Sequence, residues 1–192
     1  MSNPIPLQPG KYYHVYNRGN NRENIFVEER NYVYFLKLYA HHIQPIAETF
    51  AYCLLRNHFH FSIRVKDLTG LNRHPSKQFS NFFNAYARTF NRTYQHTGAL
   101  FQRPFGRIEV TSNAYFKQLV LYIHQNPQKH RFVEDFREWK YSSYHALMSA
   151  QATHLKRDDV MGWFDNTAGF VAAHRQLVGE NEMTALAPED FD

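Results

Sequence analysis

From His58 to Val65 the chain alternates polar and apolar side chains without a break, His58, His60, Ser62 and Arg64 against Phe59, Phe61, Ile63 and Val65. A period of two suits a β-strand and no helix, because successive strand side chains leave opposite faces of the pleat. The pattern predicts a strand with one apolar face to bury and a second face carrying two imidazoles on the same side, roughly 7 Å apart at Cα by the strand rise. Imidazole is the commonest protein ligand for a metal, so His58 and His60 make half of a metal site if further donors converge on them. Without such donors they are surface histidines on a half-exposed strand.

The flanking sequence places that strand in an α+β domain. Lys11 to Asn17, rich in Tyr and Val, predicts a first strand, followed by a polar turn at Gly19, Asn20 and Asn21. Glu28 to Ile43 reads as a helix whose stripe is Tyr32, Phe35, Leu36 and Tyr39, stopping before Pro45. Glu48 to Leu55 reads as a strand joined to His58–Val65 by Arg56 and Asn57, a hairpin or adjacent antiparallel pair. Ser76 is the expected cap of a helix over 77–96, with Phe79, Phe82, Phe83, Tyr86 and Phe90 inward and its arginines outward. Leu100 to Thr111 is expected as another strand, and Ser112 or Asn113 as the cap of a helix running to Asn126, where Pro127 interrupts. The economical arrangement is one mainly antiparallel sheet of about four strands flanked by helices.

Charge divides the chain. Residues 1–150 carry 19 basic and 9 acidic side chains, whereas 151–192 carry 3 and 8, so we expect a basic functional domain over 1–150 and an acidic C-terminal extension over 151–192. Between Asp67 and Glu109 there is no carboxylate, while Arg73, Lys77, Arg88, Arg92, Arg103 and Arg107 all fall there. Charge of one sign on that scale attracts a polyanion, and 13 Tyr and 17 Phe interleaved with the arginines supply the stacking that unpaired bases use. Arg103 and Arg107 share strand parity with Phe101 and Phe105, which predicts a DNA-stacking face. Arg88 and Arg92 are placed on the outward side of their helix, and Arg18 and Arg22, beside the polar turn, can clamp phosphates. The expected extension has a helix over 168–178 and a loose acidic end, either a packed appendage or a mimic of DNA charge.

The single Cys53 excludes an internal disulfide and points to a reducing compartment, and no stretch approaches a membrane span or a signal peptide. A cytoplasmic protein without membrane partners is expected.

The helix before Pro127 supplies the second chemical feature. Its apolar stripe, Phe116, Leu119, Val120 and Ile123, leaves Tyr115, Gln118, Tyr122 and Asn126 on a polar flank. Tyr122 and Asn126 are four residues apart and so leave the helix together. A phenol is a competent nucleophile once its proton is removed or its oxyanion stabilised, and a cation held by His58 and His60 with Asn126 as third ligand would do that. Tyr115, two turns earlier, is the rival nucleophile, and His124 and His130 are expected on the surface.

Together these segments resemble a known family. Asn57-His58-Phe59-His60 looks like the HUH motif, in which U is a bulky hydrophobic residue, and Tyr122-Ile123-His124-Gln125-Asn126-Pro127 resembles the tyrosine helix of single-tyrosine HUH transposases. The most similar branch is the REP-associated tyrosine transposases and their insertion-sequence relatives. Tyr13-His14-Val15-Tyr16-Asn17-Arg18-Gly19-Asn20, Gly98-Ala99-Leu100-Phe101-Gln102-Arg103-Pro104-Phe105 and Trp139-Lys140-Tyr141-Ser142-Ser143-Tyr144 follow the same pattern, so the match spans Tyr12 to about Leu147.

The resemblance implies a ferredoxin-like HUH endonuclease fold and cleavage and rejoining of single-stranded or hairpin DNA through a 5′-phosphotyrosine. It also implies a divalent metal, Mg or Mn, and a monomer or homodimer. Tyr122 would be the catalytic nucleophile and His58, His60 and Asn126 the metal ligands. In the family the third ligand is Gln or Asn, and the four-residue spacing favours Asn126 over Gln125. Two other classes compete: a non-catalytic hairpin-binding relative, and a hydrolytic metal-dependent nuclease, which would need a carboxylate base that these motifs lack.

Overall fold

The computed structural model describes residues 5–71 and 73–179. Its strands are β1 (Tyr12–Arg18), β2 (Ala47–Leu54), β3 (His58–Val65) and β4 (Gly106–Val110). Its helices are α1 (Glu29–His42), α2 (Pro75–Tyr94), α3 (Asn113–Lys129), α4 (Tyr144–Met148), α5 (Arg157–Trp163) and α6 (Thr167–His174). The strands form one antiparallel sheet in the order β2-β3-β1-β4, an α+β architecture as expected. Among the described residues no helix is long and apolar enough to cross a membrane.

The alternation in β3 sorts the two faces. Phe59, Phe61, Ile63 and Val65, with Tyr13 and Val15 of β1, are buried against α1 and α2. Tyr39 stacks on Phe61 with ring centroids 4.3 Å apart, and Phe35 lies 4.6 Å from Phe82. Aromatic rings do most of the filling here, each burying a large area and meeting its neighbours offset or edge-on. On the other face His14, His58, His60 and Ser62 are buried, and α3 crosses them. A second core gathers behind α3 from Phe116, Leu119, Val120 and Ile123, with Val160 of α5 and Phe170 of α6. The segment after residue 150 thus contributes apolar side chains to this core, whereas the acidic last dozen residues lie outside the described residues.

Several expectations need correction. Pro75 stands in the first turn of α2 with His74 as cap residue, so Ser76 is inside the helix; proline is preorganised for that position. Ser112 does cap α3, accepting from Tyr115 N, but Pro127 does not end it. The ring costs one backbone bond in the last turn, and His130 N closes the helix on Asn126 O. The strand expected over 100–111 is only Gly106–Val110; Phe101 makes an isolated bridge to Gly19. Parity does not carry from Phe101 to Arg107 across the intervening loop, so these residues share no strand face. Gly106 itself is a close approach: a Cβ there would lie 2.2 Å from the Tyr16 ring, which occupies the space against His14.

Candidate active site

β1, β3 and α3 bring the site together. Register sets Arg18 opposite His58 and Tyr16 opposite His60, on the sheet face that α3 covers. Asn126 Oδ1 lies 3.1 Å from His58 Nε2. One turn earlier the Tyr122 ring stands edge-on to His60 at 5.3 Å between centroids and to His14 at 6.0 Å. Tyr122 is fully buried, so the flank read as polar and open is in fact enclosed between sheet and helix.

His60 is oriented by a residue that the motif does not contain. His14 Nε2 and His60 Nδ1 are 2.9 Å apart, so one imidazole donates to the other and the His60 ring is fixed. Strand period alone signals His14: it lies between Tyr12 and Tyr16 on the same parity, one strand away from His60. His130, expected on the surface, is half buried with its ring 4.8 Å from His58, and burial, with Lys129 and Arg18 nearby, pushes its pKa down to about 4.

Burial likewise drives His58 and His60 well below the ordinary imidazole range, so both are neutral at physiological pH. This exposes an unresolved contact. His58 Nδ1 faces Asn57 Oδ1 at 2.7 Å while Nε2 faces Asn126 Oδ1, yet a neutral imidazole carries one N–H. With that proton given to Asn57, a nitrogen lone pair meets a carbonyl oxygen, and among the described residues the buried Asn126 Nδ2 has no hydrogen-bond partner. Inverting the amide would let Nδ2 donate to His58 and would strand Oδ1 instead. A cation between Nε2 and Oδ1 resolves the contact, and 3.1 Å suits two donors on adjacent vertices of one ion, roughly 3 Å apart for bonds of about 2.1 Å. Among the described residues no group of three or more His, Cys, Asp and Glu side chains has metal-holding geometry, so the fit depends on the Asn126 amide.

Gln125 turns away from this cluster. Its Nε2 donates to Gln176 O at 2.8 Å and its Oε1 accepts from Val178 N, tying the segment after α6 to α3. His124, expected on the surface, is fully buried in a hydrogen-bond chain. The Phe170 carbonyl can only accept, so His174 Nδ1 donates to it; His124 Nδ1 then donates to His174 Nε2, and Ser143 Oγ to His124 Nε2. Tyr52 N donates to Ser143 Oγ and closes the chain on β2. Tyr115 is half buried, and burial raises its phenol; the ring contacts to His60 and His14 belong to Tyr122.

The expected DNA-binding residues divide. Phe101 and Phe105 are buried in the first core, 5.4 and 5.3 Å from the Phe83 ring, and are not a stacking face; an aromatic-rich core took them in. Arg88, Arg92 and Arg103 are exposed, as is Arg22 in its turn, while Arg107 lies over the Phe105 ring at 3.7 Å and donates to Ser76 Oγ. Arg88, Arg103 and Arg107, with Asn84 and Asn91, line a groove of about 440 Å³ between α2 and the segment leading to β4. Arg92 is not among its lining residues.

No family model matches the chain. A protein of Haemophilus influenzae with the provisional name REP-associated tyrosine transposase is 29% identical over 118 residues, covering 54% of this chain and 62% of that protein. The chain therefore spans less than two thirds of that relative. A solved structure of a REP-associated tyrosine transposase bound to a REP hairpin aligns with a TM-score of 0.57 at 17% identity, over 78% of this chain and 86% of that one. At that identity the likeness shows the fold. The two comparisons support the family that the motifs resemble.

Proposed function

We propose that this chain is a DNA transposase that cleaves and rejoins single-stranded DNA by metal-dependent transesterification, with Tyr122 as nucleophile. The observation that carries the reading is the convergence of His58 Nε2 and Asn126 Oδ1 at 3.1 Å, one helical turn from a tyrosine that rests on His60. A partial sequence likeness to the Haemophilus influenzae protein and a fold shared with a hairpin-bound transposase support it.

The chemistry follows from those positions. Tyr122 Oη attacks the scissile phosphorus, its bond to phosphorus forms as the P–O3′ bond breaks, and the phenol proton ends on the departing 3′-oxygen. A later 3′-hydroxyl reverses the exchange, so the bond energy is retained. His58, His60 and Asn126 would hold the divalent metal, Mg or Mn, which when bound neutralises phosphate charge as a Lewis acid. Two imidazoles suit Mn better than Mg. His14 positions His60, and Arg18, facing His58 across the strand pair, offers its guanidinium to a neighbouring phosphate.

The groove supports DNA as substrate. Asn17 lines it and pairs with Phe59, between the two imidazoles in sequence, so groove and imidazoles occupy one end of the sheet on opposite faces. Arg88, Arg103 and Arg107 beside the Asn84 and Asn91 amides suit a phosphate backbone.

The test is incubation with end-labelled DNA, a hairpin bearing a single-stranded tail, plus Mn²⁺. The expected product is a protein–DNA adduct that resists denaturation, and the tailed hairpin should outcompete blunt duplex. Cleaved DNA with no adduct at any time would point to hydrolysis, and tight binding without cleavage to a non-catalytic hairpin binder.

A further inference from the structure

Past Asn126 the tyrosine helix ends in a turn that brings an aromatic ring beside the imidazoles. Arg131 takes φ 58°, a left-handed conformation that glycine adopts at lower cost, and Phe132 N donates to Pro127 O at 2.9 Å. The Phe132 ring is half-buried, its centroid 6.5 Å from that of His130, whose own ring lies 4.8 Å from His58. Trp139, also half-buried, stands 5.7 Å from Phe132, and its indole N–H donates to Leu54 O at 2.9 Å. Between them Phe136 N donates to Gln128 Oε1 at 3.2 Å, which ties the loop to α3. Both rings are therefore set in place by the protein itself. A cation stands near them. Arg56, exposed in the turn between β2 and β3 and two residues before His58, has its guanidinium carbon 5.9 Å from the Phe132 centroid. Arg107 over Phe105, at 3.7 Å, shows what face contact requires; Arg56 is well outside it.

We propose that Phe132 and Trp139 form a stacking platform for one unpaired base of the DNA strand, within two nucleotides of the scissile phosphate, with Arg56 on an adjoining phosphate. The proposal rests on the reading of the neighbouring cluster as the site where DNA is cleaved. Half-buried aromatic rings with a guanidinium in reach are what unpaired bases stack on, and every base has a π face to offer. The platform thus holds the strand at the tyrosine without choosing which base it carries. Rings already fixed by their own loop lose little freedom when the base arrives. A base inside a duplex has both faces occupied by its neighbours and must leave the stack to reach them, so the platform favours a single-stranded tail over blunt duplex.

The experiment measures metal-free affinity for a hairpin with a single-stranded tail in which each tail nucleotide in turn is made abasic; the cleaved bond is mapped separately with Mn²⁺. For the wild type, one abasic position within two nucleotides of that bond should cost about tenfold in affinity, and exchanging the base there should cost less. Phe132→Leu should lose about tenfold on the intact tail and nothing further on the tail abasic at that position, while Phe132→Tyr should bind like the wild type. Arg56→Gln should lower the salt slope by about one. A wild type indifferent to every abasic position would overturn the proposal. So would a Phe132→Leu penalty of the same size on the intact tail and on every abasic tail, which assigns the ring to packing alone. If Phe132→Leu melts below the assay temperature, Phe132→Met supplies the comparison. A normal adduct with no base coupled to Phe132 removes the platform alone, a coupled base with no adduct removes the nucleophile and keeps the platform, and failure to bind the tailed hairpin removes both.

Discussion

Tyr122→Phe is expected to lower covalent adduct formation by about 10⁴-fold or more while DNA affinity stays within about threefold of wild type. The reason lies in what the substitution keeps. The Tyr122 ring is fully buried against His60 and His14, and phenylalanine preserves those contacts, so only the hydroxyl is lost. The measurement is a denaturing gel of labelled tailed hairpin beside a binding titration. Adduct persisting in Tyr122→Phe and vanishing in Tyr115→Phe would move the nucleophile two turns toward the start of α3.

A graded loss of metal dependence is the second large effect expected. His58→Ala and His60→Ala should each abolish Mn²⁺-stimulated cleavage, as should a chelator added to the wild type, because each removes a donor that an amide alone cannot replace. His14→Ala should be milder, weakening Mn²⁺ affinity about 10- to 100-fold, since it leaves all three proposed ligands in place and frees only the orientation of His60. Mn²⁺ binding followed by its electron spin resonance reads this without reference to activity. Equal affinity in wild type and His58→Ala would remove the metal from this site.

Much of this arrangement was legible in the sequence, for identifiable reasons. The His58–Val65 alternation marked both faces of β3, and the stripes of α1 and α2 marked the helices that cover the apolar one. Tyr122 and Asn126 were paired by helical spacing alone. Parity misleads in the next segment: it pairs Phe101 and Phe105 with Arg103 and Arg107, but only Gly106–Val110 is strand, and both rings turn inward to an aromatic core. Polarity misled in α3, where Tyr122, His124 and Asn126 are polar and buried at once, because one flank meets imidazoles and the other meets α4 and α6. Sequence pattern equates polar with wet, and a helix pressed between two layers breaks that equation. His14 matters only through His60, a neighbour distant in sequence, and no local pattern reports that contact.

The chain from Tyr52 through Ser143, His124 and His174 to Phe170 runs in one direction, every donor and acceptor used once, and it has no seat for another proton. Burial holds His174 at about 4 despite the favourable Phe170 carbonyl. The unfolded chain takes up that proton near 6.5, so folding stability is complete above that pH, falls through the window down to about 4 by roughly 3 kcal/mol, and is level below it. Melting temperature followed from pH 7.5 to 4 should therefore drop more in the wild type than in His174→Gln; parallel curves would refute it. Acid is thus the condition that loosens α6 from the back of the tyrosine helix.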